Sequence, residues 1–195
     1  MKKSFMAVLF CIALCAAVFA QPVRTLPLDK TAEKKEQKAD AAANTVSENG
    51  FAGKIENGVI TIIGYSGASK DLVIPEKINN LPVVSIGQNA FASKQLNSVV
   101  IPNSVKTIDE NAFLGNRLAK VTIGNSVTLI GRGAFSDNQL TSVVIPNSVI
   151  TIGYRAFANN KLRGGIAVPN PVANVDSQAF DERVNVKIGQ TSRQR

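Results

Sequence analysis

The chain has 195 residues, which is room for one domain of ordinary size. Hydrophobic residues make up 45% of it and aromatic residues only 6%, with no Trp and no His, so the core must be built from aliphatic side chains and a few Phe. The net charge of +8 is spread along the chain and is not clustered among aromatics, which argues against a nucleic-acid-binding protein.

The first 20 residues have the pattern of a secretory signal peptide. Two lysines precede an apolar run over 5–20, and the side chains at Val18 and Ala20 suit cleavage after Ala20. The run is shorter than the stretch of about 20 apolar residues that a transmembrane helix needs. We therefore expect an exported protein, in the periplasm, on the outer surface or secreted, with no transmembrane span in the mature chain.

A lipoprotein signal is the alternative at this end of the chain. It would place a lipid anchor on Cys15, but Leu14 is a poor residue immediately before such a cysteine. The only other cysteine is Cys11. Cleavage after Ala20 would therefore leave a mature chain with no disulfide and no thiol, although an oxidising compartment would permit disulfides.

Residues 21–50 are predicted to be a flexible linker. They carry five basic and five acidic residues, which cancel, and 31–50 is rich in Ala, Lys and Glu with almost no large apolar side chain. Such a segment cannot bury enough apolar surface to fold alone.

A β-hairpin cap is predicted over 51–71. The stretch GKIENGVITIIGY joins two apolar runs through Asn57-Gly58, and Asn-Gly is the strongest short signal for a type I′ turn. A hairpin here would cover the exposed core of the unit that follows it.

Residues 72–183 contain a repeat with a period of 22 residues. Three clean copies, which we call coil 1 (96–117), coil 2 (118–139) and coil 3 (140–161), share the frame LxxVxIPxxVxxIxxxAFxxN, with Gly in place of Pro in coil 2. Looser copies flank them, and the downstream copy, coil 4, has one extra residue near 164–165. A fixed period of this length is typical of a solenoid whose coils stack on one another.

The frame also predicts where each position of a coil lies. The first Val and Ile alternate as in a short strand with one face inward, and Pro ends that strand because it has no N–H to donate. The second apolar pair, Val105 and Ile108 in coil 1, should return along the opposite side, and the Ala-Phe pair should lie inward in a helical or 3₁₀ turn. The expected fold is an α/β, β-rich solenoid of about five coils.

Two further positions of the frame are predicted to be structural. One buried column is expected from Phe91, Phe113, Phe135, Phe157 and Phe180. The Asn that ends each clean coil is expected to bond to turn backbone, as Asn does at tight turns. After the repeats, Val184, Val186 and Ile188 alternate like a last strand, so 184–195 is predicted to be a C-terminal strand and a basic tail.

The frame resembles the BspA-like, or treponemal-type, leucine-rich repeat, whose units read LxxIxIPxxVxxIxxxAFxxC. The resemblance covers about 72–183, and the IP…I…AF spacing is specific. This chain departs from it at the final cysteine of each unit, which is Asn, Lys or Arg here. Members of that family are commonly exported or surface proteins of bacteria, and some are implicated in binding host or cell-surface proteins. The resemblance therefore implies a leucine-rich-repeat fold and an exported or surface protein.

Catalysis is disfavoured by the residue types that remain. Without His and Cys, the mature chain has no Ser–His or Cys–His pair and no common zinc site, so we expect no catalytic residue, no metal and no cofactor. The acid pairs Asp109-Glu110 and Asp181-Glu182 are adjacent in turns, whereas glycosidase carboxylates face each other across a cleft. We interpret both pairs as solvated turns.

The candidate binding surface is a row of outward strand positions. Strand alternation and stacking place Val100, Thr122 and Val144 in one uncharged stripe, with Lys120 at its edge. Exposed aliphatic side chains in a row favour binding of a protein or glycan through this strand face, as in an adhesin. The alternative for the stripe is β-propensity alone. The alternative for the protein is a periplasmic or envelope structural protein with no external ligand.

Overall fold

The computed structural model describes residues 44–171 and 173–189. The predicted signal peptide, Cys15, most of the predicted linker and the basic tail after 189 lie outside them. Within these ranges the chain is a β-solenoid of about six turns, so the predicted solenoid of about five coils is confirmed. The strands are β1 (Thr45–Glu48), β2 (Phe51–Glu56), β3 (Val59–Tyr65), β4 (Asp71–Val73), β5 (Lys77–Ile78), β6 (Leu81–Ile86), β7 (Ser98–Val100), β8 (Thr107–Ile108), β9 (Lys120–Thr122), β10 (Leu129–Ile130), β11 (Thr151–Ile152), β12 (Gly164–Val168), β13 (Asn174–Val175) and β14 (Val184–Ile188).

Three sheets run along the solenoid. The largest has the order β1-β2-β3-β6-β8-β10-β11-β13, with β5 paired to β6 off this path. Its first three strands are antiparallel, and the pairs from β3 onward along that order are parallel, as expected for one strand per coil. The other two sheets, β4-β7-β9 and β12-β14, are parallel throughout.

The N-terminal hairpin is present and is longer than the sequence predicted. Asn57 and Gly58 have φ of 52° and 75°, the two positive values that a type I′ turn requires. β1 adds a third strand that lies inside the range predicted to be linker, so the folded domain includes residues before Phe51. The physical reason is Val46, which is buried over Gly53, where an added Cβ would lie 3.0 Å from the Val46 Cγ1 atom.

The second apolar pair of each coil builds the largest sheet. Ile86, Ile108 and Ile130 lie in register and are fully buried, and Ile152 and Val175 continue the row. The sequence predicted that this pair returns on the opposite side of the coil, but it gave no signal for a sheet there, because strands of two residues show no alternation.

The Ala-Phe segments form turns with i→i+3 hydrogen bonds, and no α-helix or 3₁₀-helix occurs in the part of the chain that the structure describes. In coil 1 the Ala112 N–H donates to the Asp109 carbonyl and the Leu114 N–H donates to the Asn111 carbonyl, as in two successive turns. Asn111 has a φ of 56°, and Gly133 and Arg155 at the same frame position are also positive. A left-handed residue at this point prevents helix propagation, so the coils are all-β.

The five predicted core phenylalanines form one stacked column. Successive ring centroids from Phe91 to Phe180 are 5.0, 5.2, 5.3 and 5.0 Å apart, and the rings are within 11° of parallel. Phe51 and Tyr65 of the hairpin contact Phe91 and close the N-terminal end of the column. The core is therefore continuous from the cap into the repeats.

Candidate functional site

The strand face is the exposed side of the β4-β7-β9 sheet. Val73, Val100 and Thr122 lie in register on its outward face, and their inward neighbours are buried. Val73 is 67% exposed and Val100 is 40% exposed. Val144, one repeat beyond Thr122, is 82% exposed. The three predicted stripe residues are thus at the surface, and the stripe gains a fourth member.

Val73 was missed in the sequence, although the signal was present. It stands between buried Leu72 and Ile74 as Val100 stands between Val99 and Ile101. The five extra residues that follow in the 72–95 copy obscured the repeat there.

Lys120 lies on the neighbouring outward row, which runs Asp71, Ser98, Lys120 in register. The Ser98 hydroxyl donates a 2.6 Å hydrogen bond to Asp71 Oδ1. Lys120 is exposed and forms no ion pair with any residue in the described ranges. The charge on this row therefore changes from acidic to basic toward the C-terminal end.

The same eight residues, SVVIPNSV, occur at 98–105 and 142–149, yet only the first copy contains a strand. In coils 1 and 2 the Ala119 N–H donates to the Asn97 carbonyl and the Ile101 N–H to the Thr122 carbonyl, both at 2.9 Å. Neither bond has a counterpart between coils 2 and 3. Within the described residues, no backbone hydrogen bond joins 141–145 to the coil on either side.

This break in the ladder is confined to the strand face. On the opposite side β10 and β11 remain paired, and inside the turn the Phe135 N–H still donates to Ala156 at 2.8 Å. Val121, at the break, is 9% exposed, whereas Val99 in the intact ladder is 1% exposed. The coils are therefore joined by backbone hydrogen bonds on two sides and not on the third, among the described residues.

A cationic depression lies beside the break. Its lining includes Thr141 and Leu162 with the side chains of Lys161, Arg163 and Arg183. Lys161 Nζ donates to Gln139 Oε1 at 3.3 Å, and Arg183 lies 3.9 Å from an Asp181 carboxylate oxygen. Arg163 has no ion pair in the part of the chain that is described. Sequence reasoning missed this cluster because its cations come from different frame positions and two different coils.

The adjacent acid pairs make structural contacts. Asp109 is partly buried, and burial raises the pKa of its carboxyl, opposed by a hydrogen bond with the Ser85 side chain. Glu110 lies 3.8 Å from Arg132. Asp181 accepts the Asn159 N–H at 2.9 Å. No group of three or more Cys, Asp or Glu among the described residues could hold a metal ion.

The described residues contain no helix with the length and hydrophobicity needed to cross a lipid bilayer. A comparison with curated protein sequences gives no match. A comparison with family models matches residues 66–187 to the BspA type leucine rich repeat region, in six copies.

Solved structures of bacterial proteins share the fold. The leucine rich repeat protein of T. pallidum (TpLRR) superposes with a TM-score of 0.63 at 29% identity, over 69% of this chain and 65% of that chain. A leucine-rich repeat protein from Bacteroides ovatus gives 0.62 at 26% identity, over 74% of this chain and 41% of that chain. The pneumococcal vaccine antigen PcpA gives 0.55 at 19% identity, over 74% and 50%. The alignment thus spans less than two thirds of the length of each solved chain.

Proposed function

This chain belongs to the BspA-type leucine-rich repeat family, and from that premise we propose that it is an exported binding protein whose strand face engages a macromolecular partner. The family supplies the general role of an interaction scaffold. The N-terminal pattern of lysines, apolar run and small residues supports export.

The observation that carries the proposal is the aliphatic stripe Val73, Val100, Thr122 and Val144. Val144 is the most informative member, because it is 82% exposed and does not lie in a strand. β-Propensity accounts for a Val in a strand, but it gives no reason for an exposed Val outside one. Binding surfaces concentrate their energy in a small desolvated centre, and a short row of aliphatic side chains provides such a centre.

The experiment is capture of partners from envelope and host-cell extracts by the immobilised protein. Val100→Glu with Val144→Glu should abolish capture and leave the melting temperature nearly unchanged, because neither side chain enters the core. The matched control is Ile63→Glu with Ile150→Glu, which changes the same charge at two exposed aliphatic positions off the strand face. Undiminished capture by the Val100/Val144 variant would move the site elsewhere.

Location separates this proposal from a structural envelope protein with no external ligand. Proteolysis of intact cells should remove the protein if the strand face meets partners outside the cell. Full protection on intact cells, with loss only after the envelope is opened, would favour the envelope role.

A further inference from the structure

We propose that the cationic depression is a binding site for a phosphomonoester group, which is held by three cationic side chains and one backbone N–H. The donors are the side chains of Lys161, Arg163 and Arg183 and the N–H of Leu162. This inference goes beyond the proposed function and does not depend on the aliphatic stripe. It rests on a position in the repeat where the chain omits an acceptor that the clean coils contain.

The first observation is a buried backbone N–H without an acceptor. In coils 1, 2 and 3, the N–H of the Leu that begins the coil donates at 3.0 Å to the side-chain oxygen of the Asn that ends it. Coil 4 begins with Leu162, and Arg183, whose side chain has no acceptor atom, stands in the place of that Asn. Leu162 is fully buried, and its N–H makes no hydrogen bond to any residue that the structure describes. Buried N–H groups of this kind are rare in proteins.

This position needs an acceptor more than it needs a donor. In the clean coils the Asn amide also donates to three carbonyls, and their counterparts here belong to Phe157, Phe180 and Asp181. The Phe157 carbonyl already accepts the Asn160 amide at 2.9 Å, and the Asp181 carbonyl accepts the Val184 N–H at 2.9 Å. Phe180 lines a separate depression at the C-terminal end of the described solenoid. A ligand that completes the site should therefore supply an accepting oxygen.

The second observation is the charge around Leu162. Lys161, Arg163 and Arg183 all line the same depression as Leu162. The carboxylate in contact with this group is that of Asp181, which lies 3.9 Å from Arg183 and accepts the N–H groups of residues 159 and 160. Three cations against one carboxylate leave a net charge of +2. The ligand oxygen should therefore belong to an anion.

A phosphomonoester matches these donors better than a carboxylate or a sulfate ester. It has three terminal oxygens and a charge of about −1.5 to −2 at neutral pH, so one oxygen can accept the Leu162 N–H while the others face the cations. A guanidinium group binds two such oxygens at once, and Arg163 and Arg183 supply two guanidinium groups. Carboxylates and sulfate esters carry a single charge. The depression has a volume of about 410 Å³, which leaves room for part of the molecule that carries the phosphate.

The first test is a titration of the isotope-labelled protein with phenyl phosphate, followed by the NMR shifts of the backbone amides at constant ionic strength. We expect a saturable shift at Leu162. Leu118 and Leu140 are internal controls that should not shift, because Asn138 and Asn160 already accept their N–H groups. Benzoate and phenyl sulfate should bind about tenfold more weakly or less. Benzoate that binds as tightly as phenyl phosphate, or no saturable shift at Leu162, would overturn the proposal.

Arg183→Asn is the most informative variant, because it restores the Asn that ends the other coils and removes a cation. We expect it to weaken phenyl phosphate binding by about tenfold or more and to raise the melting temperature. Arg183→Ala removes the cation alone, so it should weaken binding without raising the melting temperature. Undiminished binding by Arg183→Asn would contradict the site.

A second pair of variants tests the other cations. Lys161→Gln with Arg163→Gln should weaken binding of phenyl phosphate by about tenfold or more. The matched control is Lys77→Gln with Lys106→Gln, which removes the same charge at exposed positions outside the depression and should leave binding unchanged. Equal effects of the two pairs would show a general attraction between a basic protein and an anion, and would refute the site.

Vesicles separate a lipid headgroup from a soluble phosphate ester as the source of the group. Phosphatidic acid carries a phosphomonoester, and phosphatidylcholine vesicles without it are the control. Sedimentation with phosphatidic acid vesicles that Arg183→Asn abolishes would assign the site to a lipid, and binding of phenyl phosphate without sedimentation would assign it to a soluble ester. Sedimentation that survives Arg183→Asn, with no shift at Leu162 in phenyl phosphate, would show attraction to an anionic surface alone and overturn the proposal.

Discussion

The side-chain amide of Asn138 donates a 3.0 Å hydrogen bond to the backbone carbonyl of Phe113 in the preceding coil. Its Oδ1 accepts the Leu118 N–H at 3.0 Å, and its amide also reaches the Phe135 carbonyl of its own coil. Asn116 and Asn160 repeat the arrangement one coil earlier and one coil later. The Asn that replaces the final Cys of the family frame is therefore a buried clamp between coils, and its amide supplies donor and acceptor together, which a thiol does poorly.

Replacing Asn138 with Ala should destabilise the protein by about 2–4 kcal/mol, because several buried backbone groups lose their partner at once. Urea denaturation measures the change. Gln139→Ala, at an exposed neighbour whose side chain accepts a 3.3 Å hydrogen bond from Lys161 Nζ, should change stability little. Equal effects of the two substitutions would contradict the clamp.

Replacing Phe135 with Ala should cost about 3–5 kcal/mol, the range for truncation of a buried Phe. Phe135 is fully buried and stacks on a ring at each side. Phe180→Ala should cost less, because Phe180 stacks on one ring only among the described residues. Chemical denaturation of both variants tests the order, and a larger loss for Phe180 would contradict it.

Much of this architecture could be predicted from the sequence. The period of 22 residues predicted the solenoid, the family resemblance is confirmed, and the frame positions of Phe135 and Asn138 gave the stacked column and the bonded turns. These features are repeated in each coil and depend on local chemistry, which a repeated frame reveals.

The strand face shows what the sequence could not reveal. SVVIPNSV forms a strand at 98–100 and none at 142–144, so identical local sequence does not decide strand formation. The difference arises in the neighbouring coils, through backbone pairing that no local pattern encodes. Neither the break in the ladder nor the cationic depression beside it could therefore be predicted.

Gly124 replaces the Pro of the frame, and we expect restoring a larger residue there to destabilise the protein. A Cβ on Gly124 would overlap the Pro102 carbonyl oxygen, which belongs to the backbone of the adjacent coil. Gly124→Ala should therefore force coils 1 and 2 apart at a cost of about 1–3 kcal/mol. Gly165→Ala, whose Cβ would approach nothing closer than 3.6 Å, is the control for thermal denaturation. A stabilising Gly124→Ala would disprove the close approach.

Asp109 should make the stability fall as pH rises from acid toward neutral. Burial raises the pKa of its carboxyl above the value in the unfolded chain, despite the hydrogen bond with Ser85. The folded state therefore retains the proton to a higher pH, and its stabilising contribution is lost as pH rises through the folded pKa. Asp109→Asn should remove this dependence. The free energy of unfolding of the variant, relative to that of the native chain, should therefore increase from about pH 3 to about pH 7, the range over which Asp titrates. A difference that stays constant with pH would contradict the assignment.

The folded domain should include β1 as well as the hairpin. β1 pairs along its length with β2, Val46 is buried, and the Asn44 carbonyl accepts the Ile55 N–H at 2.7 Å. Glu48 adds a contact to the first repeat, since its Oε2 accepts the Asn79 N–H at 2.9 Å. A chain that starts at Phe51 loses this burial and exposes the edge of β2, so it should be less stable than a chain that starts at Asn44 by about 2 kcal/mol or more.

Limited proteolysis with mass spectrometry should give a resistant fragment that retains Thr45. A resistant fragment that begins at Phe51, with the stability of the longer chain, would show that β1 does not belong to the folded domain.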